Sequence, residues 1–180
     1  MAGKVTGRAP WTSAVRWRDA ARDGACQALV ADADDLARMA QALDVVALKS
    51  LRATFEVQAW RDGVEIAGRV EAVASRVCGL TLDIYDEMID EKVSIRVVPA
   101  DSPHAPDPQM EDQLLDLEAE DPPDVGLGDT IDLGAYAFES LSLVLDPFPR
   151  KPGAVFSGDD QGPRLSPFAA LARLKRISDE

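Results

Sequence analysis

Leu51-Arg-Ala-Thr-Phe-Glu-Val-Gln-Ala-Trp60-Arg-Asp-Gly-Val-Glu-Ile-Ala-Gly-Arg-Val70-Glu-Ala72 is the stretch on which the fold turns. Leu51, Ala53, Phe55, Val57 and Ala59 alternate with Arg52, Thr54, Glu56 and Gln58, the period-two pattern of a strand with one face on a core and one in water. Asp62-Gly63 follows, a dipeptide that tolerates the positive φ angles of a tight hairpin. The return strand alternates again, with Ile66, Gly68, Val70 and Ala72 on one side and Glu65, Arg69 and Glu71 on the other. The pattern predicts an antiparallel hairpin.

Working outward, Leu80, Leu82 and Ile84 predict a third strand, and Glu91 to Val98 a fourth, with Val93, Ile95 and Val97 inward. Between them Asp83, Asp86, Glu87, Asp90 and Glu91 read as the soluble rim of a turn. Upstream, Trp11, Ser13, Val15 and Trp17 share one face of a half-buried strand, Asp19 to Gly24 is a turn, and Ala25 to Val30 a short strand. Asp32 then caps a helix whose Leu36, Met39, Ala40 and Leu43 form one stripe.

Downstream, residues 101–129 carry many acidic and proline residues and no Lys or Arg, which predicts a mobile acidic loop. Asp132 caps a second helix, with Leu133, Tyr136, Ala137, Leu141, Val144 and Leu145 on one face and Phe138 and Leu143 widening it. Pro147 and Pro149 stop it. A second loop spans 151–165. Ser166 caps a short C-terminal helix with Pro167 at its first position and Phe168, Leu171 and Leu174 along one side. The expected fold is a single α+β domain over 1–180: an antiparallel β-meander sheet of about four to six strands packed by two main helices, 33–43 and 133–145, plus that short C-terminal helix.

A formal net charge of -13 sets a repulsive field against phosphate backbones, so a basic protein is the easier partner. The N-terminus has Lys4 and Arg8 with no apolar run after them, and no stretch approaches the roughly 20 apolar residues of a membrane span. These features predict a cytoplasmic chain without a membrane association. Cys26 and Cys78 form no paired motif.

The inventory for catalysis is thin. His104, the only histidine, sits in the acidic loop, where a triad base would lack the rigid support it needs. Cys26, Cys78 and His104 lack the spacing and number of zinc ligands. No phosphate-binding glycine loop and no nucleophile elbow is present. The sequence therefore predicts a non-enzymatic protein with no cofactor and no metal site; an enzyme would require convergent carboxylates in a closed pocket. Arg150, Lys151, Arg164, Arg173, Lys175 and Arg176 make the C-terminal third locally basic, a docking surface for RNA or for an acidic protein.

Three segments together resemble the YceD family, the large ribosomal RNA subunit accumulation proteins. Pro167-Phe168-Ala169-Ala170-Leu171-Ala172-Arg173-Leu174-Lys175 is similar to that family's C-terminal signature, and Ile131-Asp132-Leu133, opening an apolar helix, to its second hallmark. Cys78-Gly-Leu-Thr81 resembles its Cys-x-x-Cys element, with Thr81 at the second cysteine, a departure that removes any metal role known for cysteine-rich members. The resemblance implies a ribosome-assembly factor supporting accumulation of the large-subunit ribosomal RNA. Its partner would be a ribosomal protein or large-subunit precursor, with direct contact to ribosomal RNA as the second reading. The residues expected to carry the contact are Arg150, Lys151, Pro167, Phe168, Leu171, Leu174 and Lys175, with 101–124 steering a basic partner.

Overall fold

The alternation at 51–72 belongs to a hairpin longer than its pattern. In a computed structural model, which describes residues 9–16, 19, 25–106, 121–126 and 128–155, β3 (Ala47–Trp60) and β4 (Gly63–Val77) pair antiparallel from Trp60 opposite Gly63 to Ala47 opposite Ser75. Here β3 and β4 keep their place in chain order, after two short strands given below. Leu51, Ala53, Phe55 and Val57 of β3 and Val64, Ile66, Val70 and Ala72 of β4 are buried, as the alternation predicts. Each large side chain of this kind contributes roughly 2 kcal/mol by leaving water. At the turn the left-handed residue is Arg61, at φ 55°, rather than Asp62 or Gly63. Gly63 is required for a different reason: a Cβ there would stand 2.1 Å from the carbonyl oxygen of Val97.

The third and fourth predicted strands are one. β5 (Ile84–Pro99) runs beside β4 from Val77 opposite Ile84 to Val64 opposite Val97, and the turn lies earlier, over 78–83. The density of carboxylates suggested a turn rim, yet three of the five lie within β5 and find a cation across the sheet. Lys49 meets Asp86 at 2.6 Å, Arg69 meets Asp90 at 2.5 Å and Arg76 meets Glu87 at 2.8 Å. Lys49 reaches Asp86 from a bulge, since the register of β3 on β4 slips between Leu48 and Ser50. Cross-strand pairing of this sort is invisible until the register is known.

The short strands complete the architecture. β2 (Ala25–Val30) pairs antiparallel with β3. β6 (Asp124–Gly126), inside the segment expected to be a loop, adds to β5 in parallel, Val97 opposite Asp124. The sheet order is therefore β2-β3-β4-β5-β6, an antiparallel meander with one parallel edge, while β1 (Ala14–Arg16) and β7 (Thr130–Asp132) form a separate two-stranded ribbon.

Two helices cover the inner face. α1 (Ala33–Ala42) begins with a reciprocal capping box between Asp32 and Asp35 and buries Met39 and Ala40. α2 (Leu133–Val144) buries Leu133, Ala137 and Leu141. Its cap, Asp132, accepts from the backbone N–H of Ala135 at 3.2 Å and from that of Ser13 at 2.7 Å, tying α2 to the chain just before β1. Leu143 does not widen the buried face as its hydrophobicity suggested: it is 81% exposed, because two residues past Leu141 is about 200° around a helix. The fold is thus α+β with a β-rich, mostly antiparallel sheet and two main helices. The predicted C-terminal helix, with Pro167, Phe168, Leu171, Leu174 and Lys175, lies outside the described residues, as does 107–120.

Candidate functional site

At one end of the sheet the chain crosses itself several times. β4 ends at Val77, the turn 78–83 leads into β5, α2 ends at Val144, and the segment 146–155 passes over the turn. Backbone bonds fix the turn: the Cys78 N–H donates to the Asp83 carbonyl at 2.8 Å and the Leu82 N–H to the Cys78 carbonyl at 2.9 Å. Leu82 takes a left-handed φ of 62° to close it. The passing segment is pinned by the Gly79 N–H, which donates to the Pro149 carbonyl at 2.8 Å.

Lys151, one of the residues singled out from sequence, is held twice in this corner. Its backbone N–H points at the Cys78 sulfur at 3.4 Å, and its ammonium lies 3.4 Å from the Asp83 carboxylate. Cys78 is fully buried. Its pKa is lowered to about 7, chiefly by a hydrogen bond from the Thr81 hydroxyl and by the Lys151 N–H, against the opposing cost of burial. The hydroxyl at the position where the resemblance places a second cysteine thus bonds to the first. Arg150 beside Lys151 is exposed.

Beneath the corner Arg76 is a buried cation on the core face of β4. Its guanidinium bonds to Glu87 of β5 and to the Asp146 carbonyl just past α2. A cation at a helix C-terminus is favoured by the dipole and by the orphan carbonyls there. Sequence reading assigned Arg76 no role, and the only signal for it was a charge inside an apolar-facing strand position.

At the other end of the hairpin stands a second arrangement that sequence reading missed. Trp60 lies under two guanidinium groups, Arg61 at 4.4 Å and Arg96 at 5.2 Å from the ring centroid. Arg61 also lies 3.1 Å from His104 Nδ1. His104, expected as a solvated loop residue, is exposed but engaged. β4 has 15 residues, so roughly 45 Å of strand separates this cluster from the Cys78 corner. The cations at Arg150 and Lys151 therefore do not form one patch with those around Trp60.

A cleft of about 500 Å³ opens between β6 and α2, lined in part by Asp124, Tyr136 and Glu139. Burial, and then the Asp124 carboxylate, raises the Tyr136 phenol pKa above its ordinary range. Among the described residues no histidine, cysteine or lysine lines the cleft. Among the described residues no three His, Cys, Asp or Glu side chains gather as a metal-ligand group, and no helix is long and apolar enough to cross a membrane. Comparison with protein-family models, with curated proteins and with solved structures finds no match to the chain.

Proposed function

We propose that the protein is a non-enzymatic ribosome-assembly factor of the cytoplasm, supporting accumulation of the large-subunit ribosomal RNA by binding a ribosomal protein or large-subunit precursor. The observation that carries this reading is the Cys78 corner. It brings the Cys78–Thr81 turn, which resembles that family's Cys-x-x-Cys element, against the chain leaving the helix opened by Asp132 and against Lys151, one of the residues expected to carry the contact. Residues 65 or more positions apart are in contact there, as Cys78 and Lys151 are. Acidity supports a basic partner, because a net charge of -13 steers cations and repels phosphate.

The test is affinity capture at low and high salt, with sequencing of RNA and identification of proteins. Large-subunit proteins or precursor ribosomal RNA should be enriched, and lost from a variant with Phe168→Ala and Leu171→Ala. Absence of ribosomal enrichment at either salt overturns the proposal.

A second reading, direct RNA binding, is favoured by the Trp60 cluster, since an aromatic ring flanked by guanidinium groups is a stacking platform for an unpaired base. The sequence points instead to Arg150, Lys151, Arg164, Arg173, Lys175 and Arg176 as the basic surface for RNA. The two sets predict different variants: Trp60→Ala weakens RNA binding if the hairpin end is the platform, and Arg150→Ala with Lys151→Ala if the C-terminal third is.

A further inference from the structure

The cleft beside α2 lies between two strands that are each paired on one side only. β6 ends the sheet and bonds to β5 alone, and β7, which runs into α2, bonds to β1 alone. Beyond those pairings, among the described residues, no backbone-to-backbone hydrogen bond reaches 124–126 or 130–132. Val125 of β6 and Ile131 of β7 both line the cleft, whose volume of about 500 Å³ is that of a ligand site. A free strand edge presents unmet N–H and C=O groups, the template on which an extended chain pairs. Side chains then set the charge. Asp124 of β6 and Glu139 of α2 are both exposed, and the Tyr136 phenol, close to each, donates a hydrogen bond to Asp124. No Lys or Arg lines the cleft, and among the described residues no cation pairs with either carboxylate. In the adjoining hollow Asp121 adds a carboxylate, and the cation there, Arg96, is bonded to Glu65 and lies over Trp60.

We propose that this cleft takes an extended segment of a basic protein, which adds as a strand to β6 and sets a lysine or arginine against Asp124 and Glu139. β6 has three residues, so the pairing covers about 10 Å of the partner's chain. Alternate side chains of that segment enter the cleft, where the Tyr136 ring offers an apolar wall to the aliphatic stem of a lysine. Charge argues against other occupants. A phosphate backbone would meet Asp124 and Glu139 with no cation to receive it, and a second copy would bring a further charge of -13. Carboxylates on the main sheet differ in kind, because Lys49, Arg69 and Arg76 already meet them.

That the basic protein is a ribosomal one rests on the proposed function, whereas the site itself rests on the cleft, its strand edges and its carboxylates.

Titration of the full chain with a blocked peptide of alternating lysine and valine tests the site, followed by backbone amide NMR and by calorimetry. At low salt the shift changes should gather on Gly126, Thr130, Ala135 and Glu139. Asp124→Asn with Glu139→Gln should weaken binding at least tenfold. A control pair, Asp34→Asn with Glu71→Gln, removes the same charge from α1 and from the outer side of β4, and should weaken it less than twofold. Both pairs exchange exposed carboxylates for amides of the same shape, and circular dichroism checks that the fold persists. The matching glutamate and valine peptide should not bind. Spermidine, cationic but without a peptide backbone, should bind at least tenfold more weakly than the lysine peptide. Equal losses from the two variant pairs mean attraction by net charge alone and overturn the proposal, as do shift changes centred elsewhere. Spermidine as tight as the peptide overturns it as well, since no strand is then being added. None of these readouts depends on ribosomal components. Peptide binding by a chain that captures none of them keeps the site and removes the proposed function, and capture without peptide binding does the reverse.

Discussion

Cys78 shows how a residue's neighbours, rather than its own chemistry, set its state. Its sulfur is closed off from solvent, yet N–H and O–H donors from Thr81, Lys151 and Leu80 converge on it, so the anion is stabilised and the pKa falls to about 7. The sign of the linkage follows directly. The folded pKa lies below the unfolded value, so this group's contribution to stability rises as pH climbs from about 7, is complete above the unfolded pKa, and is lost as pH falls through 7. In a Cys26→Ser variant, thiolate absorbance near ~240 nm should titrate with a midpoint near 7 in the folded protein and near ~8.5 in urea. A Thr81→Val change should move the folded midpoint upward, since that hydroxyl is the largest cause of the shift. A folded midpoint at the unfolded value would contradict the geometry.

Elements are joined here by charges as much as by apolar faces. β5 carries a dense acidic run and still forms the longest strand, because Lys49, Arg69 and Arg76 come from β3 and β4 to meet it. Lys49–Asp86 and Arg69–Asp90 are exposed pairs and contribute little each. Arg76 differs, being 8% exposed and bonded to both Glu87 and the end of α2. Arg76→Ala leaves a partly buried carboxylate and a helix-end carbonyl without their cation. It should lower the free energy of unfolding by about 3 kcal/mol, measured by urea denaturation, whereas Arg69→Ala should cost under ~1 kcal/mol. Equal effects of the two would mean that burial of Arg76 does not count.

For the whole molecule, the net charge of -13 acts at distances over which no single contact can. Much of it lies in 101–124, which pairs with no Lys or Arg of its own segment. Replacing Asp107, Glu111, Asp112, Asp116, Glu118 and Glu120 by their amides should slow association with a basic ribosomal protein several-fold at low salt. The dependence of the rate on ionic strength should also flatten, as stopped-flow fluorescence would record. A salt slope equal to that of the unaltered chain would remove this segment from the steering role.

The sequence alone determined the hairpin at 51–72, the buried alternation of Leu51, Phe55, Val57, Ile66 and Val70, and both helices with their Asp32 and Asp132 caps. These follow from local period and local hydrogen bonding, which neighbours within a few residues settle. Lys151 was legible as a candidate, but not its bonds to Cys78 and Asp83. The unbroken β5, the parallel edge β6, the pairing of Arg76 and the cations over Trp60 were decided only in three dimensions. Each depends on which residues the sheet register sets side by side, and a one-residue slip in that register would exchange the two faces and dissolve all of these contacts.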